Sequence, residues 1–195
     1  MAARGNYAKG ISTRQEILEV ALEVYSRQGY GNTSVREIAR QTGLSQAGLL
    51  HHFNSKQELF VEVLRLRDTR NRDAQASGDD RSMTVEGLVE VVRHNAEEPE
   101  LVRLFATMSS GSTSASNPSH DFFQDRYVWL RGELADDVRN HQAAGELAAD
   151  LDPVKVASLL VAAADGLQVQ WLLDAESGDM GASLQWLWQT LQRVR

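Results

Sequence analysis

The sequence predicts an all-α fold of about nine helices, with an N-terminal three-helix helix-turn-helix domain followed by a larger C-terminal helical domain. Apolar residues recur three and four positions apart along almost every ordered stretch, and no stretch alternates convincingly over a strand length. In addition, three helix-opening capping boxes fall within about 45 residues near the N-terminus, which indicates several short helices and not one long helix.

The composition is that of a soluble globular chain that can fill a core. Of 195 residues, 42% are hydrophobic and 24% are charged. There is no cysteine, so disulfides and thiolate metal sites are excluded. We find no apolar run near the roughly 18 residues that span a bilayer and no apolar signal region near Met1. A cytoplasmic protein without a membrane partner is therefore expected.

Charge is distributed unevenly along the chain, whose net charge is −7. Residues 1–71 hold ten Lys and Arg against seven Asp and Glu, a net of +3, whereas the remaining residues hold ten against twenty, a net of −10. A cationic head on an anionic body is the asymmetry expected when only the head meets nucleic-acid phosphate. A purely architectural DNA-binding protein would instead be basic throughout.

Start and stop signals place three helices and a linking helix in the predicted N-terminal domain, residues 11–71. A serine or threonine opens each helix, and in three of the four a glutamate or glutamine follows three residues later. The predicted helices are 12–28, opened by Ser12 or Thr13 and closed by Gly29; 34–41, opened by Ser34; 45–53, opened by Ser45; and 55–72, opened by Ser55.

Five more helices are predicted in the C-terminal domain, residues 72–195. Prolines at first helical positions and glycines past helix ends help to define them. They begin near Val85, at Pro99, near Asp121 with Gly145 past the end, at Pro153 behind the cap Asp152 and reaching Leu173, and after Asp179. We expect a polar linker at residues 74–82 and, at 109–118, a mobile serine-rich loop that buries nothing useful.

Residues 34–53 have the chemistry of a helix-turn-helix motif. Ala39 is small where two helices would cross at close range, and Gly43 can adopt the left-handed conformation of the turn. Leu44 would fill the wedge between the helices, and Ser45 would cap the second helix. A tight corner in an ordinary helical bundle would use the same small pattern, so these residues alone leave that alternative open.

A longer run of residues closely resembles the TetR family of bacterial regulators. The run consists of Thr33-Ser34-Val35-Arg36-Glu37-Ile38-Ala39, Gly43-Leu44-Ser45, Leu49-Leu50-His51-His52-Phe53 and Ser55-Lys56. The resemblance is strong over residues 11–71 and extends loosely to the whole chain through the nine-helix layout. It implies a sequence-specific DNA-binding transcriptional regulator, most often a repressor that a small-molecule ligand releases from a palindromic operator.

The resemblance also implies which side chains meet double-stranded operator DNA. Arg36 takes a position that often reads bases, and the start of the second motif helix supplies the major-groove positions, Gln46, Ala47 and Gly48. Hydroxyl, imidazole and ammonium groups take the phosphate positions, which are Thr33, Ser34, Ser45, His51, His52 and Lys56. Leu50 departs from the family, which usually has a phosphate-binding tyrosine there. That contact is therefore missing or replaced, for example by contact with a thymine methyl.

The sequence allows two interpretations both for His52 and for the N-terminal basic residues. His52 could pack beneath the recognition helix and make no DNA contact. The basic arm formed by Arg4, Tyr7, Lys9 and Arg14 could enter a minor groove, or it could be a disordered terminus that only aids solubility.

The C-terminal domain has no sharp motif, and the resemblance implies that it holds a ligand pocket. Polar residues within apolar helical stretches are the better pointers, because burying them unpaired is costly. The candidate pocket residues are Arg103, Phe105, Met108, Phe123, Arg126, Tyr127, Asp165, Gln168 and Trp171. A largely apolar wall favours an apolar or aromatic ligand with one polar end. Any one aromatic could instead be core, and Asp165 could instead form a structural pair with Arg103 or Arg126.

Apolar stripes on the last two helices predict a homodimer built as a four-helix bundle. One stripe consists of Leu160, Ala164, Leu167 and Trp171, and the other of Leu184, Leu187, Trp188 and Leu191. The alternative is that both stripes only pack inward, within one subunit.

An enzyme is not expected from this sequence. The five histidines lack the spacing of a metalloprotease helix, and there is no glycine-rich phosphate loop. Neither a cofactor nor a metal site is predicted.

Overall fold

The computed structural model describes residues 2–75, 82–176 and 178–193. Within these ranges there are nine helices and no strand, so the predicted all-α class is confirmed. The helices are α1 Ala2–Asn32, α2 Val35–Gln41, α3 Gln46–His52, α4 Lys56–Gln75, α5 Val85–Asn95, α6 Pro99–Gly111, α7 His120–Ala143, α8 Pro153–Leu173 and α9 Met180–Arg193.

The starts of α2, α3 and α4 are as predicted. The hydroxyls of Ser34, Ser45 and Ser55 each accept a hydrogen bond from the backbone N–H three residues later, at 3.0–3.1 Å. Each bond satisfies one of the N–H groups that the first turn of a helix leaves without an intrahelical acceptor. Three short-range caps therefore fix where the N-terminal helices begin.

The predicted start of the first helix is wrong, and its interruption is as expected. The backbone is already helical from Ala2, so Ser12 and Thr13 lie inside α1 and open no helix. Gly29 breaks the helical path with φ 71° and ψ 163°. A Cβ at Gly29 would lie 2.5 Å from Oε2 of Glu100, so this position also allows α1 and α6 to approach closely.

Helix boundaries in the rest of the chain follow the proline and glycine signals. Pro99 and Pro153 are the first residues of α6 and α8, and the Asp152 carboxylate accepts hydrogen bonds from the N–H groups of residues 154 and 155. Gly145, just past α7, has φ 74°. Most of the predicted polar linker at residues 74–82 lies outside the described residues.

The serine-rich segment 109–118 differs from the prediction that it buries nothing. Its first three residues extend α6, and the side chains of Ser112 and of the adjoining Ser119 are buried. The Ser112 hydroxyl donates to the Met108 carbonyl at 2.7 Å, and its own carbonyl lies 2.8 Å from Nδ1 of His120. Serine side chains can satisfy nearby backbone groups, so a segment without large apolar residues still packs.

Two hydrophobic cores divide the structure, and their boundary does not coincide with residue 71. The first core contains residues of the first four helices, of α6 and of the start of α7. Leu101, Leu104 and Phe105 therefore pack together with the helix-turn-helix region. The second core joins α5 and the rest of α7 to α8 and α9. Tyr127 packs against both cores.

α8 is apolar around most of its circumference. Its mean hydropathy over 18 residues is 1.5, which by length and composition alone would suffice to cross a membrane, so the expectation that no such run exists is wrong by that measure. One side packs on α6, α7 and α9, whereas Leu159, Val169 and Leu173 on the other side are exposed. A helix that is apolar all round is normally covered on all sides. Part of α8 is therefore uncovered within the described part of one subunit.

Candidate nucleic-acid interface and inner cavity

α2 and α3 form a helix-turn-helix whose turn depends on a glycine and on a serine that caps α3. Gly43 has φ 70°, and Leu44 donates its N–H to the carbonyl of the buried Ala39 at 2.9 Å. The Ser45 hydroxyl caps α3 by accepting from the N–H of Gly48. A Cβ at Gly48 would lie 3.3 Å from that hydroxyl, so glycine at this position protects the cap as well as keeping the helix surface open.

The outer face of the motif leaves the predicted base-reading side chains in solvent. Arg36, Gln46 and Ala47 are all exposed. Between α2 and α3 lies a crevice of about 430 Å³, whose lining includes Arg36 and Gln46 together with Ser34 and Ser45. Four of the groups predicted to meet bases and phosphates thus lie side by side on one surface.

Glu37 places a carboxylate at the same surface, where it would by itself repel DNA phosphate. Arg40 donates to it from Nε at 3.0 Å and from Nη2 at 2.7 Å, and Gln41 donates at 2.8 Å. These hydrogen bonds, those of Arg40 first, lower the pKa of Glu37 to about 2. The carboxylate is therefore ionised and matched by Arg40, so α2 keeps a net positive charge equal to that of Arg36. Sequence reasoning had not assigned a role to Arg40.

Some predicted phosphate contacts are placed differently from the expectation. The Thr33 side chain is buried and its hydroxyl donates to the Gly29 carbonyl at 2.7 Å, which contradicts a direct contact with DNA. Leu50 is half-buried and packs against the first core. His51 is exposed and His52 half-buried, with their ring centres 5.8 Å apart.

Lys56, at the first turn of α4, is also half-buried. Burial lowers the pKa of its ammonium group. The side chain therefore sits at the rim of the surface and does not extend freely into solvent.

Arg14 does not belong to a free basic arm. Its guanidinium lies 4.3 Å from the centre of the Phe53 ring, and its Nη2 lies 3.5 Å from Oε2 of Glu62. These contacts connect α1 to α4 and to the end of α3. The side chains of Arg4, Tyr7 and Lys9 lie outside the described part of the structure.

A small cavity lies in the body where α4, α5, α6, α7 and α8 meet. Its free volume is about 30 Å³, which is room for roughly one or two water molecules. Four predicted pocket residues line it, namely Phe105, Arg126, Asp165 and Gln168. Apolar side chains complete the wall, among them Leu88, Val92, Leu130 and Val161.

The other predicted pocket residues do not line this cavity. Met108 and Phe123 are buried in the first core, and Tyr127 packs between the two cores. Arg103 is mostly exposed and pairs with a neighbouring glutamate, Glu100, at 3.6 Å. Trp171 packs against the second core. Arg103 and Trp171 are not among the residues that line this cavity, so their assignment to it is not supported.

The charged groups beside the cavity have specific partners. Arg126 donates to the Asp68 carboxylate from Nε at 2.8 Å and from Nη2 at 3.3 Å, and it lies over the Phe105 ring. The Tyr127 hydroxyl donates to Asp165 at 2.6 Å. The hydrogen-bond partner of Asp165 is thus Tyr127, and not Arg103 or Arg126. Burial raises the pKa of Asp165, because the charged carboxylate is poorly solvated there.

Sequence reasoning missed the other polar residues of the cavity, which are Arg67, Asp68, Asn71 and Asn95. Arg67 donates from Nη2 to Oδ1 of Asn95, which in turn donates to Oε1 of Gln168 at 3.1 Å. A signal for Arg67 was present, because it lies four residues after the buried Val63 and continues the apolar stripe of α4.

Four residues of the predicted dimer stripes lie on the inner faces of α8 and α9. Leu160, Ala164, Leu184 and Trp188 are buried within the subunit, and Nε1 of Trp188 donates to Glu86 at 2.9 Å. This contradicts their assignment to a subunit interface, since the second core already covers them. Leu191 is half-buried against that core.

Leu167 and Leu187 border an open groove on the outer side of the same helices. The groove measures about 700 Å³, and its lining includes the small residues Ala162, Ala163 and Gly166 together with Trp186. Trp186 has 65% of its surface exposed, which is unusual for so large an apolar side chain.

His141 lies among carboxylates at the far end of the body. Glu86, Asp137 and His141 offer ligand atoms that lie within 4.8 Å of one another, and Nδ1 of His141 is 2.6 Å from Oε2 of Glu146. Nε2 of His141 also lies 3.9 Å from a carboxylate oxygen of Glu86 and of Asp137, so this cluster joins α5 to α7.

Two family models match the chain. One, described as bacterial regulatory proteins of the tetR family, matches residues 17–63. The other, described as the C-terminal part of a BetI-type transcriptional repressor, matches residues 85–195, which is more than half of the chain. Together they cover the helix-turn-helix region and the helical body.

Curated relatives match mainly through part of their length. The transcriptional repressor AcnR of Corynebacterium efficiens is 36% identical over 92 residues, which are 47% of this chain and 45% of that protein. The repressor KstR2 of Rhodococcus jostii is 39% identical over 80 residues, 39% of each protein. The matched part of this chain thus spans about half the length of these relatives, or less.

Solved structures match over nearly the whole chain. A transcriptional regulator from Saccharomonospora viridis, in complex with choline, has 28% identity and a TM-score of 0.71, covering 94% of this chain and 97% of that one. A TetR-family regulator from a Rhodococcus species has 21% identity and a TM-score of 0.72, covering 93% and 99%. At that identity the second likeness shows the fold alone.

Proposed function

Because the chain belongs to the TetR family of bacterial regulatory proteins, we propose that it is a transcriptional repressor, not an enzyme, that binds operator DNA in the cytoplasm as a homodimer. The observation that carries the proposal is the α2–α3 motif, in which the capped first turn of α3 stands exposed beside Arg36. The first turn of such a helix is the part that reaches base edges in the major groove.

Within this proposal some side chains of the motif contact bases and others contact phosphates. Arg36 and Gln46 read base edges, while Ala47 and Gly48 let the helix backbone approach the groove. Phosphate oxygens are bound by the remaining polar groups of the surface, Ser34, Ser45, His51, His52 and Lys56. Leu50 supports the recognition helix from below, since it packs on the first core.

The occupant of the outer α8–α9 groove is, in this proposal, a second copy of the chain. Leu159, Val169 and Leu173 are exposed on α8, and Trp186 is exposed beside them on α9. The same two helices from a partner would cover these apolar side chains and complete a four-helix bundle. A dimer places two recognition helices on one DNA duplex, so a palindromic operator is expected.

The effector site in this proposal is the cavity between the five helices, opened beyond its present volume. Small-molecule pockets measure roughly 300–1,000 Å³, so ligand binding must separate the lining helices. The regulator from Saccharomonospora viridis, which is 28% identical, was solved in complex with choline, and this supports a small organic ligand in the body. The apolar walls favour a compound that is mainly apolar or aromatic with one polar end.

Release from DNA requires the effector to prefer a conformation in which the two heads no longer match the operator. α4 can transmit that change because its two halves lie in different surroundings. Phe60 and Val63 pack in the first core with the DNA-binding motif, whereas Arg67 and Asp68 line the cavity. A ligand that moves the second half of α4 therefore moves the head.

The direct test is selection of bound sequences from a random pool of duplex DNA with the purified full chain. We expect a palindromic site that is bound at least about 10³-fold more tightly than a scrambled duplex. A thermal-shift screen of small molecules, followed by DNA release for each hit, then tests the sensing role. Absence of any enriched sequence would exclude a specific DNA-binding function. If compounds that stabilise the protein never change its DNA affinity, the body has no sensing role and serves only in dimerisation.

A further inference from the structure

We infer that the effector is a carboxylate with an apolar body, and that Arg67 of α4 is the side chain that binds its charged end. This inference rests on the proposed function and narrows it to one chemical class. Its basis is a buried guanidinium whose donors are only partly used inside the protein.

Arg67 is 8% exposed and lines the cavity. Its Nη2 donates to Oδ1 of Asn95, but its Nε has no hydrogen-bond acceptor among the described residues. The nearest carboxylate oxygen, on the partly exposed Glu98, is 3.9 Å from that Nε, which is beyond hydrogen-bond distance. A buried charged donor without an acceptor is unfavourable, and natural proteins rarely keep one without a reason.

The surrounding amides have other partners and do not accept a hydrogen bond from Nε of Arg67. Asn95 uses its oxygen for Arg67 and its nitrogen for Gln168, and Gln168 donates to the Ala164 carbonyl at 3.1 Å. This chain of hydrogen bonds fixes both amides. Burial lowers the pKa of Arg67, whereas the charges of Glu98 and Asp68 only partly oppose that effect. The positive charge is thus incompletely compensated.

A carboxylate supplies what the site lacks. Its two oxygens match two neighbouring N–H donors of a guanidinium, a planar pairing that a lone hydroxyl or amide cannot reproduce. The nearby walls, formed by Leu88, Val92, Leu130 and Phe105, suit an aliphatic or aromatic body behind the charged end. The expected ligand is therefore a small amphiphilic acid.

A cation would find less favourable partners in the same cavity. The Asp68 carboxylate already accepts two hydrogen bonds from Arg126, and Asp165 accepts the Tyr127 hydroxyl at 2.6 Å. Binding an ammonium group would require one of these acceptors to leave its donor. A bound anion, in contrast, adds a bond to Arg67 and leaves Asp68 and Asp165 with their donors.

The Asp68–Arg126 pair also marks the route by which the ligand reaches Arg67. Both residues line the inner cavity and an outer crevice of about 380 Å³ between α4 and α7. Arg65 and Arg72 flank this crevice, lying 5.4 Å and 5.0 Å from the ring centres of Phe122 and Trp129. Separation of Asp68 from Arg126 would join the two spaces, and the cationic rim would attract an acid.

The test compares ligands with similar apolar bodies and polar ends of different charge, in which each carboxylate and its amide have nearly the same shape. Phenylacetate, phenylacetamide and phenethylammonium form one series, and octanoate, octanamide and octyltrimethylammonium form the other. Thermal shift and titration calorimetry on the full chain should show that a carboxylate binds at least about 10-fold more tightly than its matched amide. The bound carboxylate should also weaken binding to the selected operator.

Variants of Arg67 test whether this side chain causes the higher affinity for a carboxylate than for its amide. Arg67→Gln keeps a hydrogen bond to Asn95 available and should reduce carboxylate affinity to that of the amide, with an unchanged helical circular dichroism signal. Arg67→Lys keeps the charge without the planar fork and should retain part of the preference. Arg103→Gln, a matched change of an exposed arginine outside the cavity, should have no effect.

Three results would overturn the inference: no response to either carboxylate, preferential binding of an ammonium compound, or an undiminished preference in Arg67→Gln. The same protein samples report on the proposed function through operator binding without ligand. If the chain binds its operator and an ammonium compound releases it, the repressor function holds and only the inference on Arg67 fails. If no specific operator is bound, the proposed function itself fails.

Discussion

The DNA-binding head and the helical body distribute polar side chains in opposite ways. The head covers an apolar core with exposed polar groups, of which Arg36 and Gln46 are examples. The body instead places Arg126 next to an inner cavity, to which the second half of α4 adds Arg67, and leaves Trp186 exposed on its outer surface. Each arrangement suits a different partner, since the head meets a hydrated polyanion and the body meets apolar surfaces.

Because of this difference, the residues that bind DNA in the head contribute little to folding stability, whereas the residues around the cavity contribute to both ligand binding and stability. Exposed charges such as Arg36 contribute little to folding, because water screens them. The Asp68–Arg126 pair is largely buried, and removal of one partner would leave the other charge without compensation. Substitutions in the head should therefore change DNA binding alone, whereas substitutions around the cavity should change stability as well.

The largest expected effect tests whether the exposed apolar side of the body is the subunit interface. Trp186→Glu places a charge in the outer α8–α9 groove, which a partner subunit would have to desolvate. We expect monomers in light scattering and operator affinity lower by about 100-fold or more, because a monomer holds only one half-site. The helical signal should stay intact.

Two further variants separate association from folding in this test. Val128→Glu changes a residue of similar exposure on α7, outside the groove, and should leave the dimer intact. Trp188→Glu alters a buried residue of the second core and should unfold the body instead of merely dissociating it. A dimer that survives Trp186→Glu would place the interface on another surface.

A smaller effect is expected at the recognition surface, where specificity should change without a loss of stability. Gln46→Ala removes an exposed side chain at the first turn of α3 and should cost about 1–3 kcal/mol of discrimination at one base position per half-site. Competition binding with operators substituted at each position measures this change. The melting temperature should remain that of the unchanged protein.

Lys56→Ala provides a contrast on the same surface. A phosphate contact carries no sequence information, so this variant should weaken all duplexes alike and reduce the salt dependence of binding by about one unit per half-site. Lys155→Ala, at the exposed start of α8, is the matched control and should leave the salt dependence unchanged. Equal and uniform losses in Gln46→Ala and Lys56→Ala would contradict the assignment of α3 as the recognition helix.

The smallest effect concerns the pH dependence of stability in the body. Burial raises the pKa of Asp165 above its value in the unfolded chain, so this group favours folding at low pH and loses that contribution as the pH rises through its folded-state value. Asp165→Asn should therefore gain stability relative to the unchanged chain as the pH rises above about 4, the usual pKa of an aspartate. The gain should be about 1 kcal/mol or less, measured by urea unfolding.

Tyr127→Phe removes the donor of the hydrogen bond whose acceptor is Asp165. It removes the hydroxyl that donates to Asp165 and leaves the carboxylate buried without that donor. Stability at neutral pH should fall, and it should fall less in a chain that already carries Asp165→Asn. If both single variants lowered stability equally at every pH, the burial of Asp165 would not control the pH dependence.

Local signals in the sequence were sufficient to predict most helix starts and the helix-turn-helix. Ser34, Ser45 and Ser55 cap helices through bonds that span three residues, and Gly43 adopts the positive φ that its turn requires. Such features depend only on neighbours along the chain. The early start of α1 was missed because a helix that begins upstream makes the signal at Ser12 redundant.

The faces of the long helices and the contents of the cavity could not be predicted in the same way. Apolar residues surround most of α8, so periodicity alone does not say whether Leu160 or Leu159 faces the core. The partner of Asp165 depends on how α7 is rotated against α8, which places Tyr127 within reach. These outcomes are set by packing between residues far apart in sequence.

The hydrophobic core that α1 and α4 share with α6 limits how the family's DNA-binding heads can be exchanged. A hybrid repressor that joined this head to another body at residue 71 would separate Phe60 and Tyr25 from their shared core with Leu101, Leu104 and Phe105. Both fragments would then expose apolar surface and would tend to aggregate. A recombinant sensor made from this chain should therefore transplant the surface of α3 alone, or carry α6 and the start of α7 along with the head.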